Sequence, residues 1–257
     1  PWIYRSDVVG GEAQPGDLVL VTSERGRPVG WALWSSTSQI ALRFVSTHRN
    51  VDDTKIWRER LVNAISYRDA LGLDGTACRL VHGEADGLPA LIVDRYDDVL
   101  VVQTLCQGID RRRDVIVEHL VELLMPRGVI ARNDQKVRRL EGLDESVEVL
   151  YGEVPDTVRV REGAIHYDVD VRNGQKTGLF LDQAENHMAA ARYATGKVLD
   201  AFTYQGGFAL QMAKRAEQVV ALDSSEAAVA ATLANAKAND LTNVEARAVN
   251  VFDELRE

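Results

Sequence analysis

The sequence predicts a multidomain chain of combined α/β and α+β class. Three observations predict it. Short apolar and alternating runs broken by turn residues fill residues 1–70, the mark of a small β-barrel-like module. Residues 71–171 run strands, one amphipathic helix, then more strands, the order of an α+β module. Residues 172–257 then turn to a β-α-β-α-β pattern. Its centre, Gly196 to Asp223, reads G-K-V-L-D-A-F-T-Y-Q-G-G-F-A-L-Q-M-A-K-R-A-E-Q-V-V-A-L-D. An apolar run ends in Asp200, a glycine pair follows, and after a helical stretch a second apolar run ends in Asp223. Strand–turn–helix–strand units of this kind hold nucleotide-like ligands.

In the first module, Asp17 to Thr22 alternates as a strand, and Glu24-Arg25-Gly26-Arg27-Pro28 is a turn. Val29 to Trp34 and Gln39 to Val45 are two further strands. Asp53 to Ala70 carries helical spacing, with Ile56, Trp57, Leu61, Ala64 and Ile65 on one face. In the second module, Cys78 to His82, Ala90 to Tyr96 and Val99 to Leu105 are strands, the last two joined at Asp97-Asp98. Asp110 to Leu124 is an amphipathic helix with Val115, Ile116, Leu120 and Leu123 as its apolar stripe. Gly128 to Arg132 returns as a strand, and Val158 to Arg161 pairs with Ile165 to Val171 across Glu162-Gly163. In the third module, Asp182 to Tyr193, Phe208 to Arg215 and Ser225 to Asn239 are helices. Val198 to Ala201, Val219 to Leu222 and Val244 to Ala248 are strands.

Composition narrows the class. Hydrophobic residues make up 46% of 257, an ordinary share for a chain with a real core. No apolar run approaches a membrane span, and Pro1-Trp2-Ile3-Tyr4-Arg5 has no signal-peptide shape. Cys78 and Cys106 stand far apart, which excludes a Cys-rich zinc module, predicts no metal, and fits a reducing, cytoplasmic setting. Net charge is −9, but unevenly spread. Residues 1–70 carry 9 Lys/Arg against 8 Asp/Glu, residues 71–171 carry 12 against 20, and residues 172–257 carry 9 against 11. An RNA partner would avoid the acidic middle and use the first module and the cleft beside the last.

The ligand follows from the turn. A dinucleotide site wants G-x-G-x-x-G so that backbone approaches a pyrophosphate. Here Thr203-Tyr204-Gln205-Gly206-Gly207-Phe208 puts a bulky Tyr204 where the first glycine is wanted. A carboxylate at Asp200 repels phosphate and favours a cation, such as the amino group and sulfonium of S-adenosylmethionine (SAM). The competing role for Asp200 is a helix N-cap. Asp223 accepts hydrogen bonds from ribose in either cofactor class, while Ser224 or Ser225 caps the next helix. Asn250 either meets an adenine edge, with Val251 against the ring, or is an ordinary loop residue; both readings stand.

These residues resemble the PUA-domain SAM-dependent methyltransferases of the RlmI-like type, which modify cytosine C5 in large-subunit ribosomal RNA. The resemblance runs through Pro1-Trp2, Ser38-Gln39-Ile40 with Arg43, His82-Gly83-Glu84, Asp86-Gly87-Leu88-Pro89 and Val93-Asp94-Arg95-Tyr96. It continues through Lys176-Thr177-Gly178, Leu181-Asp182-Gln183, Asn186, Phe202-Thr203-Tyr204 and Gly206-Gly207-Phe208. It implies a PUA domain, a central domain and the opening part of a Rossmann-like class I methyltransferase domain. It also implies that Lys176, Thr177, Gly178, Asp182 and Gln183 flank the cofactor pocket beside Phe202, Thr203, Tyr204, Gly206 and Gly207. Without it, residues 173–178 read as a polar interdomain loop. Arg43 and Arg49 become RNA-binding candidates, and a homodimer is an option the family offers. Two positions depart from the family pattern: Ala184 replaces an Arg, and Asn250 an acid.

Cytosine-C5 methylation needs a thiolate at C6. In the family it comes from a Cys after an Asp-Pro-Pro loop, and this sequence contains neither. Cys78 and Cys106 read as packed thiols. Three strands also leave one apolar edge of Val198-Leu199 open. The expectation is therefore a methyltransferase whose catalytic half lies outside these residues, inactive on its own and part of a longer protein. Two other classes remain: an RNA-binding module with a vestigial cofactor fold, and an NAD-dependent oxidoreductase.

Overall fold

Alternation in the first 46 residues produces one antiparallel sheet. In the computed structural model, which describes residues 1–256, its strands are β1 (Trp2–Tyr4), β2 (Leu18–Thr22), β3 (Pro28–Trp34) and β4 (Ile40–Ser46), in the order β1-β4-β3-β2. Ala32, Leu33, Ala41, Leu42 and Val45 supply its buried side. Helix α1 (Ile56–Leu71) follows and buries Trp57, Leu61 and Ala64, the centre of the predicted apolar face.

A five-stranded sheet comes next, in simple sequence order: β5 (Ala77–His82), β6 (Leu91–Tyr96), β7 (Val99–Thr104), β8 (Gly128–Asn133) and β9 (Ser146–Gly152). The β6–β7 hairpin turns at Asp97-Asp98, as predicted, with Tyr96 opposite Val99. Strands β7 and β8 are parallel, linked through α2 (Gln107–Asp110) and α3 (Arg113–Leu124). Every residue of both strands is buried, as a parallel pair covered on both faces requires. A short helix, α4 (Val137–Leu140), precedes β9.

These two sheets form one compact unit, residues 1–73 with 79–154, so the sequence boundary at residue 70 does not separate bodies. Polar ties across it explain why. Gln107 Oε1 accepts from Ser36 N at 2.9 Å, and Arg112 pairs with Asp53 at 2.5 Å. Arg43 pairs with Glu141 at 2.9 Å, and the two are 7% and 1% exposed. That pair corrects the reading of Arg43 as an RNA contact: its guanidinium is committed to a buried carboxylate. Arg49 remains exposed. Both cysteines are buried, as expected of packed thiols, and burial pushes the Cys106 thiol up to about 11.

The second compact unit joins Asp74–Cys78 to the chain from Pro155 onward. It contains the hairpin β10 (Val158–Glu162) and β11 (Ile165–Val169), which the sequence reading placed in the central module. The hairpin belongs here because helix α7 (Glu226–Ala238) and the residue after it satisfy its free backbone edge. Asn235 Oδ1 accepts from Asp168 N, and Asn239 Oδ1 accepts from His166 N. The remaining elements are α5 (Ala184–Ala191), β12 (Lys197–Ala201), α6 (Gly207–Ala213), β13 (Gln218–Asp223), β14 (Val244–Ala248) and α8 (Val251–Glu254). Strands β12, β13 and β14 are parallel and lie in that order. Ala209, Ala213, Ala216, Val219 and Ala221 form the core between α6 and the sheet. Small residues there allow the helix to lie close. Among the described residues β12 pairs on one side only, and Leu199 is 51% exposed. No described helix is long and apolar enough to cross a membrane.

Candidate functional site

The site begins where β12 ends. Phe202, Tyr204 and Gly206 all take left-handed backbone, at φ 64, 51 and 86°. Two non-glycine residues in that conformation within one turn are costly, and such strain clusters at functional sites. The turn is held from both strand ends. Asp223 Oδ2 accepts the Tyr204 N–H at 2.9 Å, and its Oδ1 accepts the Ser225 N–H at 2.9 Å. Asp200 Oδ2 accepts from Thr203 Oγ1 at 2.6 Å and from Ala209 N at 2.9 Å.

That second set corrects the leading role given to Asp200. Its carboxylate is 7% exposed and accepts an N–H from the first turn of α6, whose N-cap position is Gly206. It does not line the cavity beside the turn. Burial pushes its pKa above the ordinary carboxylate range, against the hydrogen bonds from Thr203 and Ala209 and the nearby His187.

The cavity measures about 320 Å³ and lies wholly within the second unit. Of the sequence-predicted residues, Gln183, Phe202, Thr203, Tyr204, Gly207 and Asp223 line it. A second hollow of about 400 Å³ is lined by Phe202, Ser224, Asn250, Val251 and Phe252. Phe202 is common to both, and its ring lies 5.3 Å from that of Phe252. Asn250 fills its loop role, since its Oδ1 caps α8 by accepting from Phe252 N at 3.1 Å, yet it also faces the hollow. Val251 is 2% exposed. Ser225, not Ser224, caps α7.

The glycine pair has two separate reasons. Gly206 supplies the left-handed turn. A Cβ on Gly207 would stand 2.5 Å from His187 Cε1, so this glycine exists to let an imidazole approach the helix.

The loop from residue 173 to 183 is tied to the turn by Tyr204. Its hydroxyl accepts from Gln175 N at 3.0 Å and donates to Gly178 O at 3.1 Å. Thr177 is 1% exposed. Lys176, itself at φ 54°, pairs with Asp182 at 2.9 Å and lies over the Phe180 ring. Lys176, Thr177, Gly178 and Asp182 do not line the cavity; Gln183 does. Ala184 opens α5.

Sequence reasoning missed Glu162, His187 and Gln205. His187 Nδ1 lies 2.7 Å from Glu162 Oε1, and both residues are over nine-tenths buried. Glu162 read only as a hairpin turn and His187 only as part of a lead-in helix. A His and a Glu that meet across 25 residues leave no local pattern. Gln205 is 8% exposed, and its Oε1 has no hydrogen-bond partner among the described residues.

A parallel α/β unit with a cavity at its strand ends, lined by Asp223 and the strained turn, is of the class that binds nucleotide-like ligands. The chain belongs to the S-adenosylmethionine-dependent methyltransferase family, which matches residues 79–254, and a PUA-like domain matches residues 1–47. The curated relatives include a Ribosomal RNA large subunit methyltransferase I from Aeromonas hydrophila, 39% identical over 270 residues. A protein of the same name from Tolumonas auensis is 37% identical over 268 residues. Each alignment covers 100% of this chain and 68% of the relative. A solved SAM-dependent methyltransferase from Streptococcus mutans superposes with a TM-score of 0.82 at 22% identity, covering 99% of this chain and 68% of that one. A methyltransferase solved with SAH gives 0.84 at 22% identity, covering 99% and 67%. Both show the fold. The expectation of an inactive chain finds no support in these comparisons.

SAM is the cofactor of this family, and the residues present suit it. Glu162 and Asp223 line the cavity, and no Lys or Arg does among the described residues. Gln205 also lines it, and its Oε1 is an acceptor without a partner among the described residues. Two carboxylates with no Lys or Arg among the described lining residues favour a sulfonium and an ammonium over a pyrophosphate.

Proposed function

We propose that this chain holds SAM at the β12–β13 strand ends and serves methylation of large-subunit ribosomal RNA at cytosine C5. A cavity that carries two carboxylates and, among the described residues, no Lys or Arg supports the cofactor half of this reading. The family relatives' name supports the acceptor. The base position follows from the resemblance described above. In the same reading, residues 1–70 form a β-barrel-like RNA-binding module and 71–171 a central domain. Residues 172–257 open a Rossmann-like domain, with the C5 thiolate supplied from outside these residues.

Asp223 is placed to accept from ribose hydroxyls with the lone pairs its two backbone partners leave free. Phe202 and Phe252 offer ring faces beside Asn250 and Val251 for an adenine. The bound cofactor supplies an electrophilic methyl group. Neither Cys78 nor Cys106 lines the cavity, and the buried Cys106 thiol, at about 11, is not a thiolate at neutral pH.

Calorimetry with S-adenosylhomocysteine (SAH) and with NAD tests the cofactor: SAH binding is expected, and NAD binding alone would end the reading. Incubation of the protein as its gene encodes it with labelled SAM and large-subunit ribosomal RNA tests the acceptor. Digestion should yield 5-methylcytidine; label on another nucleoside, or none at all, overturns the C5 assignment.

A further inference from the structure

Three side chains that the motif reading did not use, Glu162, His187 and Gln205, line the cavity. Glu162 ends β10, and its backbone oxygen accepts from Gln211 Nε2 at 2.6 Å, which anchors it to α6. His187 on α5 meets its carboxylate at 2.7 Å and stands edge-on to the Phe208 ring, 4.5 Å between centroids. Gln205 spends its amide nitrogen on the Tyr204 hydroxyl at 3.0 Å. That leaves its Oε1 buried without a partner among the described residues.

An unpaired buried acceptor is expensive to keep. On a cavity that also carries the buried Glu162 carboxylate it adds to the negative potential, which is useful only toward a ligand with positive charge. We propose that Glu162 and Gln205 form a charge-reading subsite that favours a cationic nucleoside over its neutral counterpart. The subsite binds SAM more tightly than SAH and so favours departure of the spent cofactor. His187 positions the Glu162 carboxylate, and Gly207 makes room for its ring. This rests on the cofactor placement proposed above.

The test is calorimetry on the chain with three probes: SAM, SAH and sinefungin, whose amine stands where SAM has its sulfonium. Wild type should favour SAM and sinefungin over SAH. Glu162→Gln should cut affinity for the two cations on the order of tenfold and leave SAH nearly unchanged. Gln205→Met keeps the side chain's length, removes the unpaired oxygen and should shift the ratio the same way. It stays informative should Glu162→Gln fail to fold. Equal losses for all three probes, or an unchanged cation-to-SAH ratio in both variants, overturn the subsite. Wild type that binds none of the three overturns the cofactor placement itself, a different result.

Discussion

Asp223 Oδ2 lies 2.9 Å from Tyr204 N, so the acid at the end of β13 holds the turn that follows β12. One carboxylate thereby couples two strand ends. Its Asn variant keeps an acceptor oxygen but loses the charge, and it offers an NH₂ to one of the two N–H donors. We expect Asp223→Asn to cost about 1–3 kcal/mol of stability through one unmade bond. It should also weaken SAH binding in proportion to the ribose contact. Urea unfolding and calorimetry on one preparation separate the two losses. Unchanged SAH affinity removes Asp223 from the site.

Gly207 and His187 make a second coupled pair. A methyl at residue 207 would press on the imidazole, so Gly207→Ala should destabilise the fold by about 1–3 kcal/mol. In a His187→Ala background the same change should cost markedly less. A double-mutant cycle by urea denaturation measures the coupling. Additive losses would show that another neighbour limits residue 207.

Arg43 tests whether the first module's arginine is a surface or an interior charge. Its removal strands Glu141, which is 1% exposed, so Arg43→Ala should lose about 3–5 kcal/mol. The joint change Arg43→Met with Glu141→Leu should recover much of that. Any fall in RNA affinity for Arg43→Ala should follow unfolding rather than a change in salt slope, while Arg49→Ala should alter the salt slope alone. A stable Arg43→Ala protein with a reduced salt slope would restore the RNA role.

Asp200 gives a pH signature. Burial raises its pKa in the folded protein above the unfolded value, so the folded state keeps the proton longer. Stability therefore falls as pH rises from the ordinary carboxylate pKa through the raised one. Asp200→Asn retains an acceptor for Thr203 and Ala209 and should remove that decline. Unfolding curves from about pH 4 to 7 for both proteins check this. Identical pH profiles would mean the carboxylate is not held above its ordinary range.

The local elements were legible because their causes are local. Strand β13 is apolar and ends in an acid, and Ser225 caps α7 where the sequence placed that helix. The Asp97-Asp98 turn and the stripe on α1 follow the same logic. So does the character of the ligand, since Tyr204 in the turn already argues against a pyrophosphate. The motif residues Thr203, Tyr204, Gly207 and Asp223 do line the cavity.

What only the tertiary structure decided is where each charge is spent. Asp200 accepts from the first turn of α6, Arg43 is sealed against Glu141, and Glu162 meets His187, all through partners set by folding rather than by spacing. The hairpin β10–β11 joined the second unit because α7 and Asn239 offered its backbone edge two asparagines. Patterns along a chain report periodicity and conformational preference. Desolvation and long-range pairing exist only once distant residues share a dielectric, and they set the roles of this site's acids.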